Sequence, residues 1–173
     1  MNLVLIGYMG SGKTAVGNAL ASTLKFPFVD LDNLIEEAEG KSISEIFATR
    51  GEIYFRKKET EMIGQVLNDN QQMILSTGGG TPCYGNTMDT LLGNENVITI
   101  YLKSSVENLA GRLFTERKTR PLIAHLDSRE DLVDFIRKHL FERAPVYERS
   151  SVIVTVEDKG IGEIVEEIVL QLF

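Results

Sequence analysis

The stretch GYMGSGKT occupies residues 7–14 and directly follows a short apolar run that begins at Asn2. It matches the pattern G-x-x-x-x-G-K-[ST], in which glycines let the backbone approach phosphate oxygens and successive N–H groups face inward at a helix start. By average composition, the four fixed positions occur by chance in under about 1% of chains of this length. The alternative is a glycine turn that only caps a helix. Because the pattern lies between a predicted strand and a predicted helix, it predicts a nucleotide-phosphate site.

The side chains of this motif predict which nucleotide it binds. Lys13 can reach the β- and γ-phosphates of a nucleoside triphosphate, and the Thr14 hydroxyl can ligate Mg²⁺. The residues expected to bind the nucleotide are Gly10, Ser11, Gly12, Lys13, Thr14 and Ala15. The motif therefore predicts a triphosphate and magnesium, but it does not identify the molecule that receives the phosphoryl group.

Composition restricts the class of protein. The chain has 173 residues, of which 43% are apolar and 25% charged, and this predicts a single domain over residues 1–173. The net charge is −7 with no basic stretch, so no nucleic-acid partner is expected. The single cysteine, Cys83, cannot form an internal disulfide, which fits a reducing cytosol. Without a signal-peptide pattern or an apolar run near about 20 residues, we expect a cytoplasmic protein with no membrane partner.

Five short apolar runs alternate with helical patterns along the chain. They are too continuous in Val, Ile and Leu to be half-exposed, which is typical of buried strands in a parallel sheet. The predicted strands are residues 2–7, 26–31, 72–76, 96–102 and 151–156. Alternation of this kind predicts a three-layer α/β/α fold with a five-stranded parallel sheet. In such sheets ligands bind beyond the carboxyl ends of the strands.

Two carboxylates close the second predicted strand. Asp30 and Asp32 alternate along it and would share one face, so one could hold magnesium through water while the other accepts a proton from an attacking hydroxyl. The alternative is that Asp32 only caps a helix that starts at Asn33. The third predicted strand ends in STGGGTP, residues 76–82, without an acid. Metal binding is therefore assigned to Asp30 and Thr14.

Two further segments are candidates for function. Three consecutive glycines at residues 78–80 predict a close approach to the backbone, with a flexible loop as the alternative. The segment 115–127 is polar, broken by proline and rich in cations, and it predicts a long functional loop. Arg120, next to Pro121, is the best candidate to close over a transferring phosphoryl group; an ordinary solvated surface is the alternative. We interpret Cys83 as a packed residue rather than a nucleophile.

The stretch FATRGEIYFRKKE, residues 47–59, predicts two helices joined at a glycine. Ser42 and Glu45 have the spacing of a capping box, so a short helix is expected over 43–49. Gly51 suits a helix end, and a second helix is expected over 52–67.

One acidic residue interrupts the apolar face of the second helix. Phe55, Met62 and Val66 recur at helical spacing, and Glu59 occupies the missing position on the same face. A buried acid needs a partner, and Arg56 lies one turn back on the adjoining flank. Held in this way, Arg56 could present its planar fork to a ligand carboxylate. An ordinary surface ion pair is the alternative, but the position of Glu59 on the apolar face disfavours it.

Taken together, the motifs of this chain resemble those of shikimate kinases in order and spacing. The matching segments are GYMGSGKT, DLD (30–32), F-x-x-x-G-E-x-x-F-R-x-x-E (47–59), TGGG (77–80), RPL (120–122) and RAPVY (143–147). The resemblance implies ATP-dependent phosphorylation of the 3-hydroxyl of shikimate, in aromatic amino acid biosynthesis. It also implies a P-loop kinase fold like that of nucleoside monophosphate kinases, with a mobile lid near 113–127 and a substrate-binding helical region near 32–68. A monomer is expected.

The resemblance also implies a role for individual residues. On the acceptor side, Asp32 would bind the substrate hydroxyls and act as base, and Arg56 and Arg143 would bind the substrate carboxylate with Glu59 positioning Arg56. The remaining residues implied to bind substrate are Gly78, Gly79 and Gly80. On the nucleotide side, the resemblance implies catalytic roles for Lys13 and Arg120, metal binding by Thr14 and Asp30, and a contact with adenine by Arg112.

The chain departs from the family pattern at two places. Ala15 stands where many members have Ser or Thr, and the segment VEDKG, 156–160, matches poorly, which leaves any role of Lys159 open. Three other functions compete: a small-metabolite kinase such as a gluconate kinase, a GTP-binding switch, and a non-catalytic nucleotide-binding module. The guanine-reading motif N-K-x-D is absent from the sequence, which disfavours the switch.

Overall fold

The structure is a computed structural model that describes residues 1–68 and 72–173. Within them, the strands are β1 (Asn2–Ile6), β2 (Phe28–Asp30), β3 (Ile74–Ser76), β4 (Val97–Lys103) and β5 (Val152–Thr155). The helices are α1 (Lys13–Leu24), α2 (Leu31–Glu39), α3 (Ile43–Asn68), α4 (Thr87–Leu92), α5 (Val106–Glu116), α6 (Arg129–Tyr147) and α7 (Ile161–Leu172). Short 3₁₀ turns cover Thr81–Cys83 and Arg117–Thr119. No helix in these two ranges is long and apolar enough to cross a membrane.

The five strands form one sheet in the order β2-β3-β1-β4-β5, and every neighbouring pair is parallel. Alternate residues of β1 belong to different cores: Leu3 and Leu5 pack under α1 and α7, whereas Val4 and Ile6 pack under the other helices. Because both faces of the central strand are covered, it has no polar side toward solvent. The predicted three-layer α/β/α fold is confirmed.

The second strand is shorter than predicted, and this changes which aspartate caps the following helix. β2 ends at Asp30 and α2 begins at Leu31, and the Asp30 side chain accepts hydrogen bonds from the backbone N–H groups of Asp32 (3.1 Å) and Asn33 (3.4 Å). The alternative in which Asp32 caps a helix starting at Asn33 is therefore wrong. The Asp32 side chain, in the first turn of α2, is left available for another role.

Helix α3 is two helices joined by a break at Gly51, as the sequence predicts. Gly51 has φ 81° and ψ 172°, a left-handed value of φ that residues with a Cβ rarely adopt. The first part starts with the predicted capping box, in which Ser42 N–H donates to Glu45 (2.8 Å) and Glu45 N–H donates to the Ser42 hydroxyl (3.2 Å). The break sets the direction of the second part, which carries Arg56 and Glu59.

The start of the segment 115–127 is helical, whereas residues 120–127 are turn and irregular structure, as the sequence predicts. Helix α5 continues to Glu116 and a 3₁₀ turn follows, because the helical pattern of the sequence runs further than its polar composition suggested. Ile123 is fully buried in the core between the sheet and the helices on that face. Leu126 packs against the same core, so the second half of the segment is held to the domain by two apolar side chains.

A glycine in α1 brings that helix close to β2. A Cβ added at Gly17 would lie 2.3 Å from the Phe28 ring and 3.1 Å from Leu5, so an alanine does not fit there without movement of the ring. Gly162 in α7 has no neighbour within 4 Å of the same position. Gly17 and Gly162 therefore form a matched pair of helical glycines, one packed and one open.

We expect Gly17→Ala to lower the free energy of unfolding by about 1–3 kcal/mol, because the added methyl group overpacks the interface between helix and sheet. Gly162→Ala should raise it by about 0.5–1 kcal/mol through helix propensity. Urea unfolding followed by circular dichroism measures both. Stabilisation by both substitutions would contradict the close packing of α1 on β2.

Candidate active site

A cavity of about 400 Å³ opens beyond the carboxyl ends of β1, β2 and β3. It brings together residues from four separate segments of the sequence, as expected for a sheet of this topology. Its lining residues include Gly10, Gly12, Lys13, Thr14, Ala15, Asp30, Asp32, Gly78, Gly79, Arg112 and Arg120, all of them predicted from the sequence. The remaining lining residues are Met9, Ser76, Thr77 and Glu116, which the sequence did not indicate.

The loop between β1 and α1 has the geometry of a phosphate cradle. Gly10 and Gly12 have φ values of 78° and 94°, and these left-handed conformations form the turn that brings the backbone around into α1. Ser11, between them, is 1% exposed. The Lys13 ammonium donates hydrogen bonds to the carbonyl oxygens of Gly7 (2.8 Å) and Tyr8 (3.0 Å). These bonds hold the Lys13 side chain against the loop that is expected to bind the phosphates.

The charge state of Lys13 reflects its burial. Desolvation lowers the pKa of the ammonium to about 8, and the nearby Asp32 and Asp30 carboxylates oppose that change. Lys13 is therefore still mainly protonated near neutral pH. An arriving phosphate would favour the charged form further.

Thr14 and Asp30 supply oxygen atoms of the kind that magnesium prefers. The Thr14 hydroxyl lies 3.5 Å from Oδ2 of Asp30, and both residues line the cavity beside the phosphate loop. The described residues contain no cluster of three acidic, His or Cys side chains. Mg²⁺ commonly binds one or two protein oxygens together with substrate phosphates and water.

Asp32 has the electrostatic environment of a general base. Burial raises the pKa of its carboxyl group to about 6, with further increases from the negative charges of Asp30 and Glu59 and a partly opposing effect of Lys13. A carboxylate with a pKa near the working pH can accept a proton in one step and release it afterwards. Perturbed acids in a cleft are typical of catalytic sites.

The predicted pair of Arg56 and Glu59 is confirmed. The Arg56 Nη1 donates to Glu59 Oε2 at 2.8 Å, and Glu59 is only 1% exposed. The alternative of a surface ion pair is therefore wrong. Thr81 makes a second contact that the sequence did not indicate, because its hydroxyl donates to Glu59 Oε1 at 2.5 Å. A Cβ at Gly80 would lie 2.5 Å from Arg56 Nη2, so the third glycine leaves room for the guanidinium.

The glycine run is packed rather than flexible. A Cβ at Gly78 would lie 2.9 Å from the Thr81 hydroxyl, and one at Gly79 would lie 3.3 Å from the backbone nitrogen of Met9. The hydroxyl of Tyr147, a fully buried residue of α6, donates to the Gly79 carbonyl oxygen. The run therefore lies directly between the phosphate loop and the pair of Arg56 and Glu59.

Arg143 approaches the same place from α6. A Cβ at Gly79 would lie 3.6 Å from its Nη1, and its guanidinium carbon lies 5.7 Å from the centre of the Tyr8 ring. Arg143 and Arg56 thus both have guanidinium nitrogens beside the glycine run. The structure brings together the residues that the sequence assigned to substrate.

The remaining cations lie on the α5 side of the cavity. Arg120 donates to Oε2 of Glu116 through Nε (3.1 Å) and Nη2 (2.6 Å), and Arg112 donates to the Gly10 carbonyl oxygen at 3.3 Å. Lys159 is paired with Glu167 at 2.5 Å, away from the lining residues.

Comparison with known proteins assigns the family. The family model for shikimate kinase matches residues 9–173 of this chain. The chain belongs to the shikimate kinase family. It is 44% identical over 171 residues to the shikimate kinase of Flavobacterium psychrophilum, an alignment that covers 99% of this chain and 98% of that protein.

Solved structures of shikimate kinases are similar to this chain over nearly its whole length. The enzyme from Bacteroides thetaiotaomicron has a TM-score of 0.90 and 35% identity, with 99% of this chain and 98% of that chain covered. The enzyme from Acinetobacter baumannii, solved in complex with shikimate, has a TM-score of 0.84 and 32% identity, with 99% and 91% covered. These relatives confirm the P-loop kinase fold, and they show that the chain is an enzyme of the kinase class.

The raised pKa of Asp32 has a consequence for stability. Its folded-state pKa is about 6, above the unfolded value of about 3.9, so ionisation disfavours the folded state. The cost is fully present above about pH 6 and disappears as the pH falls through about 4, where both states are protonated.

We expect Asp32→Asn to be more stable than the wild type by about 2 kcal/mol near pH 8, because it removes this cost. The difference should shrink as the pH falls from about 6 towards about 4. Chemical unfolding across this range measures it, with exposed Asp134→Asn as the control, which we expect to stay within about 0.5 kcal/mol of wild type. A pH-independent or destabilising effect of Asp32→Asn would contradict the burial of that charge.

Proposed function

We propose that this member of the family transfers the γ-phosphoryl group of ATP to the 3-hydroxyl of shikimate, with Asp32 as the base. The observation that carries the proposal is the position of the glycine run, which contacts the phosphate loop at Met9 and the guanidinium of Arg56 at Gly80. A molecule bound against that run would meet the nucleotide phosphates on one side and fixed arginine donors on the other. This arrangement suits a small acceptor that carries both a hydroxyl and a carboxylate.

On the acceptor side, Arg56 and Arg143 would bind the carboxylate of shikimate. A guanidinium offers two parallel N–H donors that match a carboxylate, and charge-assisted bonds of this kind are the stronger ones in proteins. Glu59 pairs with Nη1 of Arg56 at 2.8 Å and Glu52 lies 3.5 Å from its Nε, which leaves Nη2 for the ligand. The backbone of Gly78, Gly79 and Gly80 would form the wall against which the ring lies.

On the donor side, backbone N–H groups of the loop would hold the β- and γ-phosphates. The loop residues concerned are Gly10, Ser11, Gly12, Lys13, Thr14 and Ala15. Lys13 would move from its carbonyl partners to the phosphates, and Arg120 would turn from Glu116 to stabilise charge on the transferring group. Arg112, which donates to the Gly10 carbonyl oxygen, would flank the adenine.

Thr14 and Asp30 would hold Mg²⁺, Thr14 directly and Asp30 through water. When bound, the ion neutralises phosphate charge and fixes the orientation of the phosphates. The capping bonds of Asp30 to α2 hold its other oxygen toward Thr14.

In the chemical step, Asp32 would accept the proton of the 3-hydroxyl as its oxygen forms a bond to the γ-phosphorus. The bond from that phosphorus to the oxygen bridging to the β-phosphate breaks, and ADP leaves. A pKa near 6 keeps Asp32 mainly ionised near neutral pH and ready to accept the proton.

We place the protein in the cytoplasm as a monomer with lid movement near 113–127, and shikimate as its small-molecule partner. The support for the compartment is the single cysteine, which requires no oxidising environment. Size-exclusion chromatography with light scattering tests the monomer.

The acceptor is tested by measuring ADP release from ATP and Mg²⁺ with shikimate, with gluconate and with no acceptor. We expect turnover that depends on shikimate, because only that acid combines a ring with the carboxylate that two arginines would bind. Turnover with gluconate alone would support a gluconate kinase instead. ATP binding with no turnover on either acceptor would support a non-catalytic nucleotide-binding module.

The role of Arg56 is tested with two substitutions and one control. Arg56→Ala and Arg56→Lys should each lower kcat/KM for shikimate, by about 100-fold for Ala, since a bidentate charged bond is lost. The KM for ATP should change less than about threefold, since Arg56 lies on the acceptor side. Exposed Lys57→Ala removes the neighbouring positive charge and should leave both constants unchanged. Equal losses for both substrates would show that Arg56 is only structural.

A further inference from the structure

Glu59 depends on a second side chain besides Arg56. Its carboxylate is 1% exposed, and its two oxygens have different partners: Oε2 accepts from Arg56 at 2.8 Å and Oε1 accepts from the Thr81 hydroxyl at 2.5 Å. Thr81 is itself 1% exposed and is separated from Glu59 by 22 residues of sequence. Neither the motifs nor the proposed chemistry assign any role to Thr81.

One partner would not fix the orientation of this carboxylate. The terminal torsion of a glutamate joins an sp³ and an sp² carbon, and such torsions have broad energy wells. With Arg56 alone, the carboxylate could rotate about that bond and carry the guanidinium with it. A donor on the other oxygen fixes the plane of the carboxylate, and therefore the direction in which Arg56 presents its remaining N–H groups.

Thr81 is well placed to serve as that donor. It begins the 3₁₀ turn after the glycine run, and its backbone N–H donates to the Gly78 carbonyl oxygen at 3.2 Å. Its side chain is β-branched and therefore stiff about χ1. A Cβ at Gly78 would come within 2.9 Å of the hydroxyl and 3.1 Å of Glu59 Oε1, so this glycine leaves the space in which the two side chains meet.

We propose that Thr81 is a positioning residue for the acceptor, acting on Arg56 through Glu59. Hydrogen bonds from Thr81 to Glu59 and from Arg56 to Glu59 connect the backbone of the glycine run to the arginine that would bind the acceptor carboxylate. The two surfaces that a carboxylic acceptor touches are thereby held at a fixed distance from each other. The proposal rests on the assignment of Arg56 to that carboxylate.

The test compares Thr81→Val, which removes the hydroxyl with little change in shape, with Thr81→Ser, which keeps it. We expect Thr81→Val to raise the KM for shikimate about tenfold, the effect of losing one hydrogen bond to a charged group. The KM for ATP should stay within about twofold, and Thr81→Ser should keep both constants near those of wild type. If Thr81→Val fails to fold, Thr81→Ala replaces it with the same expectation.

Thr99→Val is the matched control. Thr99 is fully buried and its hydroxyl accepts from the Ser151 backbone N–H at 2.9 Å, whereas the Thr81 hydroxyl donates to Glu59. The Thr99→Val variant should lose stability without a change in the KM for shikimate. If Thr99→Val and Thr81→Val alter the kinetic constants alike, the role of Thr81 is general packing and the proposal is wrong.

The double variant separates this proposal from the one on which it rests. In an Arg56→Lys background, Thr81→Val should add less than about twofold to the KM for shikimate, because the guanidinium that it orients is gone. If Arg56→Lys leaves the KM unchanged, the assignment of Arg56 fails. If Arg56→Lys raises the KM and Thr81→Val does not, or if the two effects multiply independently, only the role of Thr81 fails.

Discussion

The burial of the Glu59 carboxylate is the constraint around which Arg56, Thr81 and the glycine run are arranged. A charge removed from water is costly unless it is paired and hydrogen-bonded, and the idealised cost of about 20 kcal/mol exceeds the net stability of a typical domain. Arg56 and Thr81 supply the partners, while Gly78 and Gly80 leave the space that those partners occupy. The glycine run therefore serves the packing of side chains as much as the approach of a ligand.

The negative charge of Glu59 also affects the pKa of Asp32. Glu59 is one of the groups that raise the pKa of Asp32, after burial and Asp30. The carboxylate that fixes Arg56 therefore also raises the pKa of the neighbouring Asp32. Lys13 and Arg120, which line the cavity, each donate hydrogen bonds to protein oxygens. Nucleotide binding can therefore proceed by exchange of partners and does not require the assembly of bare positive charges.

Local patterns in the sequence predicted most of the fold and the donor side of the site. The phosphate loop follows from glycine and lysine spacing within eight residues, and Arg56 with Glu59 follows from helical periodicity. Thr81 and Tyr147 could not be found in this way, because their partners lie 22 and 68 residues away in sequence. The sequence left open whether Asp32 caps the following helix, because one residue of difference in where β2 ends decides which carboxylate faces the N–H groups of α2. The polar composition of the segment 115–127 predicted its irregular part but not its helical start or the buried Ile123.

That isoleucine limits how the segment can move. Withdrawing Ile123 from the core would expose a fully buried side chain at a cost of about 2 kcal/mol. A conformation with that cost is populated in only about 3% of molecules. Because Leu126 also packs against the core, the second half of the segment is held in place, while Arg120 lies before these contacts. The few residues between Glu116 and Ile123 therefore limit how far Arg120 can move.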